Sequence, residues 1–153
     1  MNNKQKSKYS KQLIKFLEEN SNKGQTTITI PLQRKRKLFD SFVIHPIYKN
    51  FKIVAINTEK RVMPADTYFC IKIFEQVLEV LYTADKKTLK KGNAQKHKMG
   101  ERGLENTTIE YIIASKFYDK HDGLSADRRI SVISNILIAA NLCISKKSSL
   151  TLI

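Results

Sequence analysis

Between Asp66 and Ala84 the chain leaves water only one narrow stripe. Projected as a helix, Tyr68, Lys72, Glu75, Gln76 and Glu79 fall together, while Phe69, Cys70, Ile71, Ile73, Phe74, Val77, Leu78, Val80 and Leu81 fill the rest of the circumference. A helix so nearly apolar all round must be covered on most of its sides. It predicts a central helix, starting at Asp66 or Thr67, around which the other elements pack. With 153 residues, 41% of them hydrophobic, the chain can supply that cover within one α+β domain.

The flanking segments give the material for it. Residues 1–8 are polar and lysine-rich and read as a flexible basic arm, with a single domain over 9–153. Ser10 can cap a helix to about Asn20, whose apolar side is Leu13, Ile14, Phe16 and Leu17. Thr26 to Ile30 alternates like a half-buried strand, and Pro31 ends it or marks an edge. Leu38 to Ile44 fits helix or strand, with His45-Pro46 closing it, and Phe51 to Ile56 is a second strand. After the central helix, 85–106 is a polar connection holding Gly92, Gly100 and Gly103, of a length that is usually functional or disordered. Thr107 and Glu110 fit a capping box for a helix to about Tyr118. Ser125 or Asp127 starts a last helix to about Leu142, then Ser145–Ser148 is turn-like and Ser149–Ile153 alternates as a short strand.

Charge bounds the partner. Lys and Arg number 28 against 14 acidic residues, a net charge of +14. The positive residues cluster: Lys4, Lys6, Lys8, Lys11 and Lys15; then Arg34, Lys35, Arg36 and Lys37; then Lys86, Lys87, Lys90, Lys91, Lys96, Lys98 and Arg102, opposed there only by Glu101. Such density repels itself, and a polyanion relieves it. The expected partner is nucleic acid, double-stranded DNA first, because each neutralised phosphate releases a counterion. The plainer alternative is a solvated face that keeps the protein dispersed. Met1 to Gln12 has no apolar signal region, and Ile130 to Ile144 is too short and too often interrupted by Ser and Asn to span a membrane. Cys70 and Cys143 sit in apolar segments and read as reduced core thiols, with no second ligand at zinc spacing; a disulfide between them stays open. A cytoplasmic protein without a membrane partner is expected, and a homodimer is compatible with DNA reading.

The last helix sharpens the partner. Ile130, Ile133, Leu137, Ala140 and Ile144 share one face, and Arg128, Ser131 and Asn135 lie nearly opposite, flanked by Arg129 and Ser134. Beyond Asn135 the helix is apolar all round. A polar start and a buried end is the layout of a helix that enters a major groove, where Arg can read guanine and Asn adenine. An ordinary amphipathic helix is the competing reading. The order of long helix, connection, shorter helix, turn, polar-to-apolar helix, Lys-rich turn and strand over 66–84, 107–118, 125–142 and 145–153 resembles the winged-helix DNA-binding family. The strand-rich segment 26–56 ahead of it is similar to winged-helix domains of plasmid replication initiators. The resemblance implies groove contacts from Arg128, Arg129, Ser131 and Asn135, and phosphate contacts from Lys146 and Lys147. It implies a DNA-binding regulator or replication-initiator-like protein, sequence-specific or structural. Asp119 and Arg129 depart from the compact helix-turn-helix pattern. Only one wing strand is expected after the last helix, with 26–30 as its partner.

Enzymatic readings compete with this one. Asp119, His121, Asp122 and Asp127 could hold a divalent metal for a small nuclease, although the same residues are ordinary in turns. His97, Glu101, Arg102 and Glu105 could act as base, acid and phosphate clamp in a ribonuclease toxin. Glu59-Lys60 lacks the spacer of a metal-nuclease motif. No phosphate-cradling Gly-rich loop or nucleophile elbow is present, so no cofactor is expected and a non-enzymatic role leads. An RNA-binding protein is a further alternative; the aromatic residues form no evident stacking platform.

Overall fold

The apolar segment is indeed the axis of the fold. In a computed structural model, which describes residues 2–21, 27–34 and 37–153, it forms helix α2 (Ile71–Thr83). Ile71, Ile73, Phe74, Val77, Leu78 and Leu81 are buried. The helix begins later than its periodicity suggests, because Tyr68–Cys70 is drawn into strand β4, paired with β3 (Lys52–Thr58) from Asn57↔Tyr68 to Ala55↔Cys70. Backbone groups that would be orphaned in a first helical turn are satisfied in the ladder instead.

Helix α1 (Asn3–Ser21) lies along α2. It takes in most of the segment expected to be an arm. Asn2 Oδ1 accepts from the Gln5 N–H at 2.9 Å and so caps the helix well ahead of the anticipated cap at Ser10. Ser10, expected as that cap, instead donates to Glu75 Oε1 of α2 at 2.7 Å.

Strands β1 (Ile28–Pro31), β2 (Ser41–Lys49), β3 and β4 form an antiparallel sheet in that order. Ile28 and Ile30 point inward and Pro31 is exposed, as the alternation of this edge strand requires. His45-Pro46 does not close β2, which runs on to Lys49. Among the described residues β1 pairs with β2 no further than Ile44, two residues short of Pro46. Phe51 is not the first residue of β3 but part of a two-residue turn, Asn50-Phe51.

The second half follows α2 with strand β5 (Thr88–Lys90), helix α3 (Ile109–Phe117), helix α4 (Ile130–Ala139) and the hairpin β6 (Cys143–Lys146) and β7 (Ser149–Leu152). The antiparallel sheet order is β5-β7-β6. The hairpin therefore finds both its strands near the C-terminus: β6 supplies the partner expected from 26–30, and β1 pairs with β2 instead. The last helix stops at Ala139, short of Leu142, because Cys143 and Ile144 are claimed by the ladder.

The polar connection after α2 is folded too. Besides β5 it has a small core of Ala94, Met99, Leu104 and Ala114, and Asn93 N–H donates to Gly103 O at 2.9 Å. Gly103 (φ +104) lies under the His97 ring, where a Cβ would come within 2.5 Å of Cδ2. Apart from this annex, one apolar core runs from Leu13 in α1 to Leu152 in β7 and joins both sheets. The protein is thus α+β, with four α-helices and two antiparallel sheets among its described residues. No helix among them is long and apolar enough to cross a membrane. Cys70 and Cys143 are free thiols; burial pushes the Cys143 thiol up to about 12, which makes it inert.

Candidate nucleic-acid interface

Four segments distant in sequence converge on one cleft of about 1550 Å³. They are the chain leaving β1 (Leu32–Arg34), the turn Val62–Ala65, the connection between β5 and α3, and the approach to α4 with its first turns. The β6–β7 turn, Lys147-Ser148, closes one rim. Arg34, Lys90, Lys91, Arg102, Arg128 and Lys147 line it, against the acidic Glu105 and Asp127. None of those six cations forms an ion pair with a described carboxylate.

Lys91 sits deepest. Its Nζ donates to Ser145 Oγ at 2.6 Å, and its backbone is tied to Ser148 O and to the Glu110 N–H. Burial holds the Lys91 ammonium below the ordinary lysine value, and Arg128 adds repulsion. Arg128 is exposed and its Nη1 donates to Gln95 Oε1 at 3.1 Å. At Glu105 the N–H groups of Gly103 and of Glu105 itself, then Lys90 and Arg102, hold the carboxyl below its usual range. Lys91 and Arg128 are two like charges brought together over partly dry walls, in a cleft whose cations outnumber its two carboxylates, and such a surface favours an anion.

Arg129, adjacent in sequence, behaves oppositely. It is 5% exposed and lies 3.4 Å from the Tyr118 ring centroid, with Nη2 at 3.3 Å from Asp66 Oδ2 and 3.5 Å from Asp127 Oδ2. Behind it, Glu110 accepts from the N–H of Arg129 at 3.0 Å and of Ile130 at 2.9 Å. Glu110 thus caps α4 rather than its own helix, and Thr108, not Thr107, caps α3 by accepting from the Tyr111 N–H. Burial raises the Glu110 carboxyl to about 7, and its hydrogen bonds to Ile130 and Arg129 offset only part of that.

The expected groove face of the last helix is consequently not free. Asn135 is 6% exposed: its Oδ1 accepts from the Gln33 N–H at 2.8 Å, and its Nδ2 donates to Ser131 O at 2.6 Å. Ser134 is buried as well, and Arg129 is locked. Arg129 is taken up by Tyr118, Asp66 and Asp127, and Asn135 lines the cleft wall with its amide engaged by Gln33 and Ser131, whereas Arg128 and the half-buried Ser131 are the more open residues there.

Of the remaining candidates, Arg34, Lys90, Lys91 and Lys147 come together in the cleft; Lys37, Lys86, Lys87 and Lys146 do not line it. Lys86 and Lys87 form a left-handed turn, with Lys87 over the Tyr82 ring. Lys35 and Arg36 lie outside the described residues. Arg102, a member of both the third basic cluster and the ribonuclease alternative, lines the cleft with His97 and Glu105, while Glu101 lies 3.8 Å from His97.

The other acidic clusters are held by the scaffold. Asp122 accepts from Tyr111 OH at 2.7 Å, and Asp127 pairs with Arg129. Glu59 accepts from the Val43 N–H and pairs with Arg61 at 3.1 Å. No group of three or more His, Cys, Asp or Glu among the described residues is placed to hold a metal ion. Comparison with protein-family models, with curated proteins and with solved structures finds no match to this chain.

Proposed function

We propose that the cleft binds the sugar-phosphate backbone of nucleic acid, double-stranded DNA in the first place. The observation that carries this reading is the convergence of six cations without ion pairs from four separate segments on one concave surface. A solubilising surface does not need its charges gathered in one concave place; a phosphate site needs such a local excess. The order α2, β5, α3, α4 and hairpin β6–β7 supports the winged-helix likeness, because a two-stranded hairpin follows the third helix of this series and its turn residue Lys147 lines the same cleft as Arg128 and Ser131. The groove reading is narrower than the helical projection implied. The chain offers Arg128 just ahead of α4 and Ser131 in its first turn, and contacts to phosphate outweigh contacts to bases.

Titration of duplex DNA, single-stranded DNA and structured RNA across salt concentrations tests this. Binding to duplex should fall linearly in log[salt], and Lys91→Met with Arg128→Ala should flatten that slope by about two, at about 0.9 per phosphate contact. A slope unchanged by the pair overturns the cleft as the interface. A preference for structured RNA over duplex moves the reading to an RNA-binding protein.

A further inference from the structure

The far end of the first sheet carries three local costs at one point. The β2–β3 connection is the two-residue turn Asn50-Phe51, with both residues in the left-handed region at φ 51° and 63°. Asn tolerates that conformation and Gly is favoured at the second position; an aromatic side chain there is strained. Phe51 is also 100% exposed, so its ring is fully in water. The residues closing the turn are Lys49 and Lys52, directly opposite each other in register, and like charges so placed repel. Next to them a bulge between Ile47 and Tyr48 shifts the ladder, and Tyr48 is itself about half exposed.

A partner with an apolar interior and a phosphate exterior relieves the exposure and the repulsion together, and gives the strained aromatic a use. We propose that this hairpin tip is a second nucleic-acid contact, in which Phe51 stacks on bases while Lys49 and Lys52 hold the flanking phosphates. The inference rests on the nucleic-acid reading of the cleft. The cleft lies at the Ser41 end of β2, so the tip stands roughly 25 Å from it along the strand.

The chain contains no Trp, so Phe51→Trp creates a single fluorescent reporter at the tip. Its emission should be quenched by duplex or single-stranded DNA, and Phe51→Gly should weaken binding roughly tenfold. Phe51→Gly should melt no lower than the parent, since Gly suits the left-handed turn; this separates lost contact from lost fold. Unchanged Trp emission on DNA that the protein still binds overturns the hairpin contact and leaves the cleft reading standing. Absence of binding to any nucleic acid overturns both. An emission change with phosphatidylserine vesicles but not with DNA replaces the proposal by a membrane contact. A change in sedimentation mass for Phe51→Gly, with DNA affinity intact, replaces it by self-association.

Discussion

Arg128 and Arg129 are neighbours in sequence but belong to opposite worlds. Behind the start of α4, Arg129 is stacked on Tyr118 and paired with Asp66 and Asp127, and Glu110 caps the helix. In front of it, Arg128 joins Arg34, Lys90, Lys91, Arg102 and Lys147 around a cleft, and none of these six is ion-paired with a described carboxylate. The residue types are the same. In the buried junction each charge meets an internal partner and holds α3, α4 and the β3–β4 turn together. In the cleft six cations face two carboxylates and none of the six is ion-paired with a described carboxylate, so the charges are available to a ligand. A count of positive charge therefore says little about role; partnering says most of it.

The largest effect separating the two regions should come from Arg129→Ala. It leaves the partly exposed Asp66 and Asp127 without their cation and removes the stacked ring contact, and should cost about 2–3 kcal/mol by chemical denaturation. Arg128→Ala should stay within about 0.5 kcal/mol of the parent. Equal losses from both would erase the distinction drawn here.

Glu110 tests the junction through pH. Its folded value of about 7 lies above the ordinary 4.5, so the uncharged carboxyl is the form the fold prefers. Its stabilising contribution is complete below pH 4.5 and is lost as pH rises through about 7, on the order of 3 kcal/mol in all. Melting temperature should decline over that window, and Glu110→Gln should flatten the decline. A profile identical in parent and variant would place the titration elsewhere.

Smaller effects sharpen the cleft side. Lys90→Ala with Lys91→Ala should flatten the salt dependence of DNA binding by about two units, while Lys86→Ala with Lys87→Ala, close in sequence but outside the cleft, should leave it nearly unchanged. The smallest effect is expected on α1, where Lys6 pairs with Glu79 at 3.6 Å and Lys15 with Glu19 at 3.7 Å. Replacing either lysine should alter stability by no more than about 1 kcal/mol and DNA affinity little. A large loss of affinity there would extend the interface onto α1.

The sequence by itself determined the central helix, the alternation of β1 and β3, the helix at 109–117, the final strand and the positive balance. Each of these is local: a periodicity of 3.6 or 2, a capping hydroxyl, or a sum over residues. Several parts of the site were legible in the same way, since Arg34, Lys90, Lys91, Arg128, Ser131 and Lys147 belong to the clusters and the polar face that composition and projection single out. Only the tertiary structure decided which charges remain free and which are partnered. A helical projection shows that Asn135 lies on a polar face, but not that Gln33, 102 residues away, covers it. It cannot show that Glu110 caps the next helix instead of its own, that β5 pairs with β7, or that Phe51 stands at a turn rather than in a strand. Those outcomes depend on which surfaces meet when the core closes, and burial then sets whether a polar side chain finds a partner inside the fold or is left to find one outside it.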